Sequence, residues 1–381
     1  MLTRDVLREL ATTDPRRLLI SVHACTDPRD PANIGMSQAW LIELRNGLAA
    51  IAERLEAGGD RDSRLSFRAL RKRIEQELGD LSPIGRARSV SWIVDPDGFS
   101  ERFSLQIPLR GTRVVADARP FVSPLVDIAD RGAPTGVIVV GGELVRLVQI
   151  EQAEASEPEN STYELSLGDW RPFGGTAGGS PARGAVTTSH REQYRARVEA
   201  QRDKLFETAV TETARRLDAL GWERIVLVCE RQVGSRFRDV LPAEISERIV
   251  AEADLNLVGE EPAAVADAVE QLIEDAWMRR AVALAELARQ RVAAGGPATI
   301  GAQETLGALA EGRVAHLVLD PDHDFSAASG MLPRSIPGPP ELLGERAVEA
   351  AIATSAQVTV LPAGSSATLQ DSGGMAALLR Y

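Results

Sequence analysis

Residues 135–150 read TGVIVVGGELVRLVQI, and this stretch decides the fold of the middle of the chain. Two apolar runs lie on either side of Gly141-Gly142, a pattern typical of two antiparallel strands joined by a tight turn. Further along, Thr162–Leu167 predicts a third strand, and Arg224–Cys229 predicts a buried apolar strand. We therefore predict a compact α/β domain built around a hairpin.

A glycine-rich segment and a basic helix lie between these strands. Residues 170–206 read WRPFGGTAGGSPARGAVTTSHREQYRARVEAQRDKLF, and their first half has few apolar side chains with which to offset the entropy of ordering. We predict a mobile loop over 173–186, a helix over Glu192–Leu220, and another helix over Pro242–Ala253. The helix is rich in arginine, and such a surface binds RNA phosphates, although a solvated linker and helix are the alternative.

The composition of the whole chain limits the classes of function. The 381 residues carry a formal net charge of −12, which argues against general coating of nucleic acid but leaves a local basic face free to engage RNA. Cys25 and Cys229 lie in apolar runs, as core residues do in a reducing compartment. The sequence shows no apolar run of about 18 residues and no signal-peptide layout, so we expect a cytoplasmic location.

Helices and strands alternate on both sides of the middle domain. Upstream, apolar strand-like runs and two helical patterns predict an N-terminal α/β domain over residues 1–111. The middle domain takes residues 112–257. The third domain, over 258–381, alternates helices with short apolar strands, as an α/β sandwich does. The predicted fold class is therefore α/β with three domains.

The polar residues do not predict a catalytic or metal site. Asp320–Asp324 reads DPDHD, but it lacks the glycine and the distant glutamate of a calcium loop, so a turn is the preferred interpretation. The four histidines show no zinc spacing. Ser180 and His190 lack an oriented acid for nucleophilic catalysis. We predict no catalytic residue, no metal and no cofactor.

Three motifs follow one another along the chain. They are the hairpin with ERIVLVCERQVGSRFRDVL at 223–241, ATIGAQETLGALAEGRVAHLVLD at 298–320, and SGGMAALLRY at 372–381. Together they resemble the bacterial branch of the archaeal/eukaryotic release factor family, the relatives of class-1 eukaryotic peptide-chain release factor and Pelota. The resemblance implies an RNase H-like middle domain, a C-terminal domain similar to kink-turn-binding ribosomal proteins, and a function at the ribosome.

The family's catalytic motif is replaced in this chain. In release factors the loop after the hairpin carries Gly-Gly-Gln, whose glycines allow close approach to the ester and whose glutamine helps position the attacking water. Here the loop has Gly174-Gly175-Thr176 and Gly178-Gly179-Ser180. We expect a non-hydrolytic factor that binds the ribosomal A site in stalling, dormancy or rescue. The alternatives are a peptidyl-tRNA hydrolase or release factor that uses the Gly-Gly-Ser loop, and an RNA- or protein-binding module away from the ribosome.

The resemblance also implies partners and contact residues. The expected partners are the ribosome, through its rRNA and with tRNA within reach, and an elongation-factor-type GTPase. We expect neither a membrane nor DNA as a partner. The residues expected to contact RNA belong to the glycine loop and the basic helix: Gly174, Gly175, Gly178, Gly179, Ser180, Arg183, His190, Arg191, Arg195, Arg197 and Arg202.

Overall fold

The computed structural model describes residues 2–35, 38–58, 60–80, 87–166, 181–325, 340–362, 364–365 and 369–381, without the side chains of 181–191, 340 and 371. The chain forms two compact units, one made of Met1–Gly132 with Trp277–Tyr381 and the other of Ala133–Ala276. Helices and sheets occur in both, which confirms the predicted mixed α/β class. Among the helices described, none is long and apolar enough to span a membrane.

The N-terminal part of the first unit is a four-stranded antiparallel sheet with helices packed against it. Its strands, in the order β3-β2-β1-β4, are β1 (Leu19–Cys25), β2 (Ser89–Val94), β3 (Ser100–Leu105) and β4 (Arg113–Asp117). Its helices are α1 (Arg4–Ala11), α2 (Ala39–Gly58), α3 (Arg61–Gly79) and α4 (Ser123–Arg131). Trp40, Phe67 and Trp92 fill the core between this sheet and α2 and α3.

The pairing of β4 differs from the predicted domain boundary. The sequence placed residues 112–116 at the start of the middle domain, but Val114 of β4 pairs with Val22 of β1 in the N-terminal sheet. The sequence of a short apolar strand does not determine which sheet the strand joins, because the pairing partner depends on tertiary packing. The three-domain division over 1–111, 112–257 and 258–381 stays a prediction. The pairing of β4 with β1 does not support its first boundary.

The second unit is built on a six-stranded mixed sheet in the order β10-β9-β5-β6-β7, with β8 also paired to β6. Its strands are β5 (Thr135–Val140), β6 (Leu144–Glu151), β7 (Glu154–Ser156), β8 (Thr162–Glu164), β9 (Arg224–Cys229) and β10 (Ile249–Ala253). Its helices are α5 (Pro181–Leu220), α6 (Arg231–Asp239) and α7 (Ala243–Ser246). The hairpin β5–β6 is antiparallel, whereas β9 runs parallel to both β5 and β10.

Two predictions for the second unit need correction. The helix predicted over Pro242–Ala253 is wrong, because α7 ends at Ser246 and Ile249–Ala253 is a strand beside β9. A short apolar run fits either state, and pairing with β9 decides it. The loop predicted over 173–186 is wrong from Pro181 onward, where α5 begins. Proline suits the first turn of a helix, since its fixed φ matches and its missing N–H would be unpaired there.

The C-terminal part of the first unit is a second four-stranded sheet. Its strands, in the order β11-β14-β12-β13, are β11 (Ala298–Ile300), β12 (Val314–Leu319), β13 (Gln357–Val360) and β14 (Met375–Leu379). The helices of this region are α9 (Ala302–Ala310), α10 (Leu343–Ala353) and the part of α8 (Pro262–Ala293) from Trp277 onward, while the part of α8 up to Ala276 belongs to the second unit. Only the β12–β13 pair among these described strands is parallel.

The two parts of the first unit share one apolar core. Leu7 of α1 and Leu125 of α4 belong to the same buried cluster as Leu306 of α9 and Val348 of α10. A buried ion pair joins the parts as well, between Arg346 of α10 and Asp117 of β4. Removing such apolar area from water is the main source of stability, so the two sequence segments stabilise each other.

Candidate nucleic-acid interface

The hairpin of the second unit is stabilised by a backbone hydrogen bond across its turn and by the packing of Gly136 against the ring of Trp222. Val140 pairs with Val145, and the N–H of Gly141 donates to the carbonyl of Leu144 at 2.7 Å, which closes the turn. On β5, Gly136 lies against the fully buried indole of Trp222, where a Cβ atom would overlap the ring. The predicted turn at Gly141-Gly142 is therefore confirmed.

Helix α5 has 40 residues, and its two ends differ in environment. From Leu205 onward one face is buried, with Phe206 packed edge-on against Phe237 of α6 at 5.3 Å between ring centroids. Residues 192–204 are all exposed or half-buried, and none of them is buried. At 1.5 Å per residue this segment is about 20 Å long. We call residues 192–204 the exposed segment of α5.

The predicted contact residues fall into three groups. Gly174, Gly175, Gly178, Gly179 and Ser180 lie outside the described residues. The positions of Arg183, His190 and Arg191 are on the backbone of α5, but their side chains lie outside the described part. Of the remaining three, Arg195 and Arg197 are exposed and Arg202 is half-buried.

Arg202 makes a specific contact within the unit. Its Nε donates a hydrogen bond to the backbone carbonyl of Gly142 at 2.7 Å. The sequence pattern predicts Arg202 as an RNA contact. In the structure its guanidinium is instead hydrogen-bonded to the hairpin turn. Sequence spacing gave no signal for this contact, since the two residues are 60 positions apart.

Arg197 and Lys204 lie on the side of the exposed segment opposite Glu192 and Glu199, whereas Arg195 lies on the side of Arg202. Arg197 and Lys204 are seven residues apart and both exposed, so they share one face of the helix. Glu192 and Glu199 are also seven apart, but Glu199 follows Arg197 by two residues, about 200° round the helix. Glu199 is 3.6 Å from Arg236 of α6. The outer face of the segment is therefore basic, and Lys204 joins Arg197 on it although the sequence did not assign Lys204 to the site.

The described residues offer little for metal or nucleophile chemistry. No group of three or more His, Cys, Asp or Glu side chains among them could hold a metal ion. Asp320, in the metal-like DPDHD run, is buried and its Oδ1 accepts a hydrogen bond from the N–H of Asp322 at 3.0 Å, as in a turn. Burial raises the pKa of the Cys229 thiol, which makes it a weaker nucleophile.

Solved structures similar to this chain include an archaeal translation termination factor, an archaeal Pelota and a yeast termination-like factor. The archaeal termination factor aRF1 is 18% identical, with 100% of this chain and 98% of that chain covered and a TM-score of 0.26. An archaeal Pelota, from a model of ribosome-bound Pelota and ABCE1, is 13% identical over 100% and 94% of the chains at a TM-score of 0.41. S. cerevisiae Dom34, described as a termination-like factor interacting with Hbs1, is 10% identical over 74% and 73% at 0.39.

Family comparison matches the part of the chain that carries the hairpin and helix α5. Residues 120–274 match the bacterial archaeo-eukaryotic release factor family 10. No curated protein matches the sequence. The matched range contains β5 to β10 and α5 to α7, which carry the first of the three motifs, whereas the motifs at 298–320 and 372–381 lie outside it. The predicted resemblance is confirmed for this range: residues 120–274 are similar to the bacterial archaeo-eukaryotic release factor family 10.

Proposed function

We propose that the protein is a translation factor that binds the A site of the bacterial ribosome without hydrolysing peptidyl-tRNA. The observation that carries this proposal is the exposed basic face of α5, which lies inside the range matched by the release factor family. We further propose a cytoplasmic location and a role in stalling, dormancy or rescue. An elongation-factor-type GTPase and tRNA are proposed as additional partners.

The exposed segment suits contact with an RNA backbone. Arg195 and Arg197 are exposed on a helix that extends beyond the buried part of α5, so phosphates can reach them without unfolding the unit. Lysine and arginine side chains that neutralise phosphates release counterions, and binding then weakens steeply with salt. Such contacts carry no sequence information, which suits a factor that recognises a fixed ribosomal site. The acidic net charge of −12 confines this affinity to the local face.

The absence of hydrolysis is proposed from the sequence of the glycine loop. The chain contains no Gly-Gly-Gln at any position. Removing a single oriented group from a site of this kind typically costs about a hundred- to a thousandfold in rate. The family fold with this loop therefore favours occupancy of the ribosome over release of the peptide.

The test is co-sedimentation of the full chain with bacterial ribosomes, vacant or carrying peptidyl-tRNA, over a salt series. The same samples are assayed for released peptide. We expect binding that weakens steeply with salt, and no release. The double variant Arg197→Gln, Lys204→Gln, which removes both charges of the basic outer face, should lower the slope of log affinity against log salt by about two, one for each phosphate contact.

Arg215→Gln provides the matched control. Arg215 is an exposed arginine of the same helix, paired with Glu212 at 2.6 Å in the packed part of α5. Arg215→Gln loses one positive charge, as each substitution of the double variant does, but it should leave the salt slope unchanged. Peptide release that disappears in Gly179→Ala would favour the hydrolase alternative. A lack of binding at every salt concentration would overturn the ribosomal proposal.

A further inference from the structure

Arg202 occupies the point where α5 leaves the body of the second unit. It lies near the end of the exposed segment, three residues before the buried Leu205. Its Nε donates to the carbonyl of Gly142 at 2.7 Å, and a hydrogen bond from a charged donor is stronger than one between neutral groups. A Cβ atom on Gly142 would lie 3.4 Å from the Nη2 of Arg202, so the guanidinium is seated against the turn itself.

The helix geometry places Arg202 on the inner side of α5. It precedes Ala209 by seven residues, and Ala209 is buried against the sheet at 1% exposure. Residues seven apart share a helix face, so Arg202 points along the sheet-facing side. Lys204, two residues further on, lies about 200° round the helix and is exposed. Arg202 and Lys204, although only two residues apart, therefore point to opposite sides of α5.

We propose that Arg202 is a positioning residue that fixes the exposed segment of α5 to the hairpin turn, and that it does not contact phosphate. The inference rests on the proposed function, because the segment it positions is the one proposed to meet rRNA. Without the contact to Gly142, the exposed segment would adopt several orientations relative to the hairpin. Only a fraction of the molecules would then have the basic face in the orientation that binds rRNA. Such a loss lowers apparent affinity by that fraction, independently of salt.

The experiment compares Arg202→Gln with Lys204→Gln in the full chain. Each variant removes one positive charge from the same turn of α5. Ribosome binding is measured over a salt series, and hydrogen exchange is followed in the free proteins by mass spectrometry. For Arg202→Gln we expect affinity about tenfold weaker at every salt concentration, with the slope of the wild type. For Lys204→Gln we expect a slope lower by about one.

Hydrogen exchange reports on positioning without the ribosome. Arg202→Gln should speed exchange in residues 192–204 and leave 205–220 unchanged, while Lys204→Gln should change neither. A slope lower by about one in Arg202→Gln, with exchange unchanged, would show a phosphate contact and overturn the inference. If the wild type does not bind ribosomes, the proposed function is overturned. In that case unchanged exchange in Arg202→Gln would overturn the positioning role separately.

Discussion

The carboxylate of Asp130 accepts a hydrogen bond from the indole N–H of Trp277 at 3.0 Å. The same carboxylate accepts from the Thr359 hydroxyl at 2.9 Å and lies 3.2 Å from the Arg280 guanidinium. Asp130 ends the N-terminal part of the first unit, whereas its three partners belong to the C-terminal part. One side chain thus joins the two sequence segments that the second unit separates.

Asp130→Asn should weaken both segments of the first unit together. The substitution removes the charge that Arg280 faces and gives the indole a poorer acceptor, which should lower the free energy of unfolding by about 1–3 kcal/mol. Hydrogen exchange should quicken in peptides from 1–132 and 277–381 and stay unchanged in 133–276. Asp254→Asn, which breaks the exposed pair with Arg231, is the control. It should change neither the free energy of unfolding nor the hydrogen exchange of the first unit. Faster exchange in the C-terminal segment alone would contradict a shared unit.

Glu345 makes the stability of the first unit depend on pH. Burial raises its pKa from the ordinary 4.5 to about 7, although hydrogen bonds from Ser123 and Val122 act in the opposite direction and Glu349 adds repulsion. The folded state therefore binds a proton more tightly than the unfolded chain. The contribution of Glu345 is fully present below about pH 4.5 and is lost as the pH rises through 7. The loss is on the order of 3 kcal/mol.

Glu345→Gln tests this dependence. The amide keeps an oxygen that can accept from Ser123 and Val122 and does not ionise. Urea titrations at pH 5 and pH 8 should show a smaller drop in the free energy of unfolding for the variant than for the wild type. Glu286→Gln, at an exposed pair with Arg289, should retain the wild-type difference. An identical drop in Glu345→Gln would mean that another group is responsible.

Gly136→Ala should destabilise the second unit through overpacking. The added methyl would overlap the ring of Trp222, which is fully buried and donates to Gln149 at 3.3 Å. Forcing an extra carbon into a filled core costs about 1–3 kcal/mol, so the melting temperature of this unit should fall. Gly79→Ala, at the end of α3 with open space around the Cβ position, should be neutral or slightly stabilising. Calorimetry of both variants measures the difference.

The two cysteines should react slowly with thiol reagents in the folded protein. Burial raises the pKa of both Cys25 and Cys229, and Cys229 is only 3% exposed. Because the thiolate is the nucleophile, fewer reactive molecules are present at neutral pH. An Ellman assay should show Cys229 reacting only on denaturation and Cys25 reacting more slowly than a free thiol. Rapid reaction of both in buffer would contradict the packing of β1 and β9.

The sequence predicted the elements of the second unit better than their contacts. Alternating apolar runs around Gly141-Gly142 were sufficient for the hairpin, because strand and turn signals are local. The local pattern predicts a helix for Ile249–Ala253, and this prediction is wrong because the strand state depends on pairing with β9. The sequence predicts Arg202 as an RNA contact, whereas its hydrogen bond to Gly142 depends on how the chain returns after 60 residues. Local patterns indicate element types, but not which side chains meet.

The composite first unit has a consequence for synthesis of the chain. The helices α1 and α4 bury their apolar faces against α9 and α10, which lie beyond residues 133–276. At about 5–20 residues per second, a ribosome needs roughly 7–29 s to add this intervening stretch. During that interval the nascent chain carries Leu7 and Leu125 without their final partners. The second unit, contiguous in sequence, can complete its fold first, so the order of folding differs from the order of translation.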